Sequence, residues 1–246
     1  MDLNELVDKI GIKPEKQNEA IKVYASKKEE SEKRLEPLLS DFSRIIKTVD
    51  INPTLYRDNY YDYVYKNIST NYTLTNVEAF ALYPEIYVGL DEIKSAALGL
   101  FISAAVNKVI KKDEEVNLFL VKPVNYLFYK LKDAKGYANV AGDHLGLYAV
   151  NSRIYVDKAG DDAGREMKNT ELKANKVGDY LGLWSENCKI YVDEAGDDAG
   201  GGMESSELYI SRLNGALGLR SENCKIYVDE AGEYAGYNIK NSELRA

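Results

Sequence analysis

Apolar and polar residues alternate with period two over short stretches in the last third of the chain, and the stretches recur. Ile154-Tyr155-Val156-Asp157 returns as Ile190-Tyr191-Val192-Asp193 and again as Ile226-Tyr227-Val228-Asp229, each 36 residues after the last. Sliding Ile190, Val192, Ala195, Gly196, Ala199 and Gly200 forward by 18 lands on Leu208, Ile210, Leu213, Asn214, Leu217 and Gly218, the same pattern with larger apolar residues. The unit is therefore an 18-residue coil, starting at Gly136, Ile154, Leu172, Ile190, Leu208 and Ile226, with Leu244-Arg245-Ala246 opening another. Backwards, Leu118 and Leu120 hold the register and Pro123 breaks it.

A fixed period marks a solenoid, in which each unit buries its apolar face only against its neighbours. Paired glycines such as Gly196 and Gly200 inside every unit exclude the helix-pair repeats. Three short strands per coil, each pairing in parallel with the coil above at about 4.8 Å, are the expectation: a right-handed parallel β-helix. The fold class is α+β, a helical N-terminal region over residues 1–115 followed by a β-helix over 116–246, regular from 136.

Residues 18 apart become stacked neighbours, so the register defines columns. Asn151, Asn169, Asn187, Ser205, Asn223 and Asn241 form a ladder of residues tolerant of the left-handed turn conformation. Arg153, Glu171, Lys189, Glu207, Lys225 and Glu243 alternate in sign and should pair across coils. Tyr137, Tyr155, Tyr191, Tyr209 and Tyr227, interrupted by Lys173, should face outward, as a stacked ladder or as an aromatic binding surface. Asp143, Asp161, Asp179 and Asp197 share one turn position, broken by Gly215 and resumed at Glu233. Such a carboxylate column is either a solvated turn face or a set of oxygen ligands for a cation such as Ca²⁺.

The string from Ile190 to Met203, Ile-Tyr-Val-Asp-Glu-Ala-Gly-Asp-Asp-Ala-Gly-Gly-Gly-Met, resembles the glycine-rich repeats of the β-helix at the C-terminus of glutamate synthase, a domain that also occurs as one of the polypeptides of formylmethanofuran dehydrogenase. The resemblance covers about residues 136–246 and implies a scaffold docked against catalytic domains supplied elsewhere, with no catalytic residue or cofactor to carry over. Asn169-Thr170, Ser205-Ser206 and Asn241-Ser242 stand where that repeat has Gly-Gly.

The 246 residues suffice for a sizeable core. From Gly136 onward 19 acidic residues face 12 basic ones, a net of −7 out of the chain's −8, which argues against nucleic acid or an anionic membrane as partner. Cys188 and Cys224 lie two coils apart, about 9.6 Å, too far for a disulfide, and point to buried thiols in a reducing cytoplasm. The single histidine, His144, stands beside the Asp column.

Upstream, the spacing predicts a charged helix from Pro14 to about Arg34 and a second one begun by Pro37 and bearing Leu38, Leu39, Phe42, Ile45, Ile46 and Val49, together an amphipathic hairpin. A buried helix is expected over about 91–112, too short in its apolar run to span a bilayer. Tyr56 to Tyr65 has no readable period, and no signal peptide opens the chain. Helices before Leu118 can cap the first coil. The last strand, Leu244 to Ala246, lacks a following cap, so it is expected to stack on a second copy or a protein partner, with the N-terminal helices as the other route to association. The leading expectation is a cytoplasmic, non-catalytic scaffold. The alternatives are a subunit of a glutamate-synthase-like or formylmethanofuran-dehydrogenase-like complex, and a Ca²⁺-dependent carbohydrate-active β-helix using the Asp and Tyr columns.

Overall fold

A computed structural model describes residues 28–48, 51–230 and 240–245, with side chains from residue 35. Among the described residues four α-helices, α1 (Lys28–Thr48), α2 (Arg57–Asn67), α3 (Leu74–Ala81) and α4 (Glu92–Val109), precede eight strands. These are β1 (Glu115–Leu118), β2 (Lys135–Val140), β3 (Arg153–Lys158), β4 (Glu171–Lys176), β5 (Lys189–Ala195), β6 (Glu207–Leu213), β7 (Lys225–Glu230) and β8 (Glu243–Arg245). They form one parallel sheet in sequence order, a β-solenoid of about seven turns. Ile154, Leu172, Ile190, Leu208 and Ile226 pair successively and are fully buried, in the expected register of 18.

Each coil has one true strand rather than three. A second side is a single-residue bridge per coil, Lys132 to Val150 to Lys168 and onward. The rest is turn, with left-handed backbone at alternate residues, as at His144, Gly146 and Tyr148 or Tyr180, Gly182 and Trp184, which no extended strand could contain. Coil-to-coil bonds such as Gly182 N–H to the Ala163 carbonyl (2.8 Å) still satisfy these backbones.

The alternation of Ala and Leu between coils has a packing cause. Leu145, Ala163, Leu181, Ala199 and Leu217 form one buried column, and Ala149, Met167, Ser185, Met203 and Ser221 form another. Each coil with the smaller residue in the first carries methionine in the second, so the interior volume per coil stays level, as close packing demands. Beside them Ser152, Thr170, Cys188, Ser206, Cys224 and Ser242 share a column. Its hydroxyls and thiols donate to the carbonyl two residues back, for example Thr170 Oγ1 to Lys168 (2.9 Å) and Cys224 Sγ to Glu222 (3.2 Å). Ser206 Oγ also accepts the Cys188 N–H at 3.0 Å. The two cysteines are free and buried, and burial pushes the Cys188 thiol up to about 11, so both are inert column members.

The first coil departs from the sequence expectation. It is 20 residues long, so Val116, not Leu118, pairs with Gly136. The helical hairpin is also corrected. Lys28–Thr48 is one continuous helix with Pro37 inside it, held by Leu35, Leu38, Phe42 and Ile45, all buried on either side of the proline. Pro14 to Lys27 and Val49 lie outside the described residues.

Helix α4 starts on an Asp91 side-chain cap to Lys94 N–H (2.8 Å) and is buried from Ser95 to Val106. It lies across the first coil and supplies partners to that coil's open backbone edge. Ser95 Oγ accepts from Asn125 N–H (3.0 Å), and Asn107 Nδ2 donates to the Tyr129 carbonyl (2.9 Å). Ser103 Oγ accepts from Tyr129 N–H (3.2 Å) and donates to the Tyr126 carbonyl (2.9 Å). From α3, Glu78 Oε1 accepts the Asn117 N–H of β1 at 2.7 Å. Helices and solenoid therefore share one continuous core, and the helical region closes the edge that an end coil would otherwise expose. The aromatic stretch of α2 is part of that closure: Tyr60, Tyr61 and Val64 are buried, and Tyr61 packs on Tyr129 at 5.0 Å.

Candidate functional site

The four aspartates of the turn column do stack, and their carboxylates are engaged by backbone. Asp143 Oδ1 accepts the Asp161 N–H (3.0 Å), Asp161 Oδ1 the Asp179 N–H (2.8 Å) and Asp179 Oδ1 the Asp197 N–H (2.7 Å). Asn125 Oδ1 opens the series on Asp143 N–H at 3.0 Å. Each bond from an aspartate is charge-assisted and supplies an acceptor that the turn's own carbonyls do not. The neighbouring glycines make room for it, since a Cβ at Gly160, Gly178 or Gly196 would lie 2.0–2.1 Å from the Oδ1 of Asp143, Asp161 or Asp179. At the next rung both columns change, Asn214 following the glycines and Gly215 the aspartates, and Asp197 Oδ1 accepts instead from the Asp198 N–H (2.8 Å) and the Ala216 N–H (2.5 Å). Glu233 lies outside the described residues. Among the described residues no three His, Cys, Asp or Glu side chains are gathered to hold a metal ion.

The outer face of the sheet carries the tyrosines. Tyr191 and Tyr209 stack at 4.9 Å with 8° between planes, Tyr209 and Tyr227 at 4.8 Å and 8°, and Tyr137 and Tyr155 at 4.8 Å and 9°. Lys173 fills the gap, its Nζ 5.6 Å from the Tyr155 ring and 5.2 Å from that of Tyr191, and its ammonium pairs with Glu171 at 2.7 Å. Arg245 lies 5.7 Å over Tyr227 at the other end. Ring faces are thus covered by neighbours, and the ring edges and hydroxyls of Tyr155, Tyr191, Tyr209 and Tyr227 are what the ladder presents. A groove of about 350 Å³ follows it, bounded by Lys173 and Asn175 and by the outward residues Asp193, Ser211 and Asp229.

The flanking columns are structural. Lys189 pairs with Glu207 (3.4 Å), Lys225 with Glu207 (3.9 Å) and Lys135 with Glu115 (2.9 Å), as the alternating signs require. Every member of the Asn column has left-handed backbone, and Asn169 Nδ2 donates to Asn151 Oδ1 at 3.2 Å. Leu244, partly buried, pairs with Ile226 in the last described strand, and Ala246 lies outside the described residues.

His144 stacks on Tyr126 (4.6 Å, 14°) where α2 meets the solenoid, with its Nδ1 3.6 Å from Asp162 Oδ2. Burial lowers its pKa below the usual 6.5 despite Asp162 and Asp143, and Arg57 and Arg165 act in the same direction as burial. The native state therefore holds fewer protons than the unfolded chain below about pH 6.5, and this part of the stability is lost as pH falls through that value toward the lowered one. His144→Asn, which suits the same left-handed backbone (φ 61°), is expected to flatten the fall in melting temperature between pH 7 and 5. Parallel profiles for the two proteins would assign that fall to other groups.

Fold and surface together define a helically capped parallel β-helix that carries a half-exposed tyrosine ladder on the outer face of its sheet. Comparisons with protein-family models, curated proteins and solved structures gave no match. Among the described residues, no helix is long and apolar enough to cross a membrane.

Proposed function

We propose that this chain is a non-catalytic interaction scaffold of a reducing cytoplasm, binding a protein partner through the tyrosine face of its sheet. The observation that carries the reading is the Tyr191–Tyr209–Tyr227 stack, half-exposed in a groove, while the Asp, Asn and Ser/Thr/Cys columns are occupied with backbone and coil-to-coil bonds. Tyrosine edges with hydroxyls on a rigid sheet give large contact area at low entropic cost, the composition that protein interfaces favour. The free, buried Cys188 and Cys224 support a reducing compartment. The repeat's likeness to the glutamate synthase and formylmethanofuran dehydrogenase β-helices supports the same kind of role, with catalysis on the partner. A sugar platform would need open ring faces, and here neighbouring rings cover them.

The test is affinity capture of the tagged full-length chain from extract of its own source, read by mass spectrometry beside Tyr209→Ser. A stoichiometric partner should be retained by the native chain and reduced at least about tenfold by Tyr209→Ser, the loss of one central aromatic contact. The variant should stay folded, with about 1 kcal/mol or less of destabilisation from the lost stacking. Equal recovery with both proteins, or no partner with either, would remove the tyrosine face as the docking surface.

A further inference from the structure

The first rungs of the tyrosine column are already covered, by the chain itself. Tyr137 is only 7% exposed because Phe119, in the outer-face row one coil earlier, and Leu82, at the end of α3, close over it, with Tyr155 at the margin. The element that brings Leu82 there is a helix whose Glu78 binds the β1 backbone. Further along the same surface Tyr191, Tyr209 and Tyr227 have no such cover among the described residues. The open groove lies on the same outer face as an intramolecular interface whose occupant is visible: a helix end placing an aliphatic side chain against Tyr137.

Charge sets what the rest of that occupant carries. In the column just before the coil starts, Glu207 is shared by Lys189 and Lys225, and in the row beyond the groove Glu194 is bound by both Lys176 and Arg212. Between them Asp193 and Asp229 are exposed, line the groove, and form none of the ion pairs found among the described residues. They stand two rungs apart, about 9.6 Å, close to the rise of seven residues of α-helix, about 10.5 Å. The whole chain carries a net charge of −8, so its long-range field favours a cationic partner.

We infer that the partner segment is a basic amphipathic α-helix, its aliphatic side chains seated on the edges of Tyr191, Tyr209 and Tyr227 and its Lys or Arg, spaced one heptad apart, on Asp193 and Asp229. The inference rests on the scaffold reading above and names the chemistry of the occupant of that face. Leu82 on Tyr137 is its intramolecular counterpart, and the helix-in-groove mode needs no opening of the solenoid.

The probe is a fluorescent 14-residue helix of leucine and lysine with lysines at positions i and i+7, compared with the same peptide carrying glutamate for lysine. Both are titrated onto the full-length chain, and the footprint is read by amide exchange. Saturable binding of the lysine peptide with protection confined to β5, β6 and β7 is expected, with no binding of the glutamate peptide. Asp193→Asn combined with Asp229→Asn should weaken it about fivefold to tenfold, two surface ion pairs' worth. Glu204→Gln with Glu222→Gln, which removes the same charge from another side of the coil, should change it less than twofold. Equal losses in both double variants, protection elsewhere, or no binding would overturn the inference. If partner capture still depends on Tyr209 after such a result, the scaffold reading stands with an occupant of other chemistry. If neither experiment involves the tyrosine face, both readings fall together.

Discussion

Gly99→Ala is expected to destabilise the protein by about 3 kcal/mol or more, against the ordinary sign of that exchange. In the middle of an exposed helix, alanine gains up to about 1 kcal/mol over glycine. Here Gly99 is in the buried helix α4, and a Cβ would stand 1.8 Å from the carbonyl oxygen of Asn125, 2.9 Å from its carbon and 3.3 Å from Val124 Cγ2. Two of those three atoms are backbone of the first coil, so the contact is relieved only by lifting the helix off the solenoid. That would also break the Ser95, Ser103 and Asn107 bonds that satisfy the edge of the coil. In a chain of this size the melting temperature should fall by about 10 °C. Amide exchange should show the N–H groups of Asn125 and Tyr129 losing protection before those of β4 to β6. Gly89→Ala is the control: it has a positive φ of 64° and nothing within 4 Å, so it should cost about 1 kcal/mol of backbone strain alone. A Gly99→Ala protein more stable than the native one would mean that α4 is not seated on the coil.

This cap shows where the sequence stops being readable. Coil length, register and the buried Ile/Leu and Val/Ala columns follow from residues at 18-residue spacing, because stacked neighbours must satisfy the same pairing and the same inward direction. The charge and Asn columns are legible for the same reason. The first coil is not, because two extra residues between β1 and β2 shift Val116 into the place that an unbroken period assigns to Leu118. Nor can periodicity place Ser95, Ser103 and Asn107, whose partners are backbone atoms 22 to 30 residues away. Gly99 and Ser103 in an otherwise apolar helix were the available signal: a glycine permits close approach, and a buried hydroxyl needs a partner. Pro37 misled because proline favours a first turn, whereas the buried side chains around it carry one helix through. For the candidate face, sequence placed the tyrosines outward but could not distinguish exposed ring faces from exposed ring edges. That distinction rests on the 8–9° between neighbouring planes and bears directly on whether sugar or protein fits.

Gly178→Ala should be nearly as damaging as Gly99→Ala, for a reason that couples two columns. The added methyl would lie 2.0 Å from Asp161 Oδ1 and 3.0 Å from both the Asp161 nitrogen and the Gly160 carbonyl carbon, so the carboxylate must leave the Asp179 N–H it binds at 2.8 Å. Steric strain and loss of a charge-assisted bond add, and about 3 kcal/mol is expected. The partner change separates the two terms. Asp161→Ala alone should cost about 1.5–3 kcal/mol through the lost bond, while Asp161→Asn, which keeps an Oδ1 acceptor, should lose only the charge assistance and cost less. Because removing the carboxylate also removes the nearest obstacle, the double variant Gly178→Ala with Asp161→Ala should be more stable than the sum of the single losses by at least about 1 kcal/mol. Denaturant melts of the native protein, the two single variants and the double variant measure that coupling. Strict additivity would show that the glycine column and the aspartate column do not need one another, and would leave the carboxylates available for another ligand. Positive coupling would mean that these carboxylates hold successive coils together, so the chemistry offered to a partner must come from the sheet face instead.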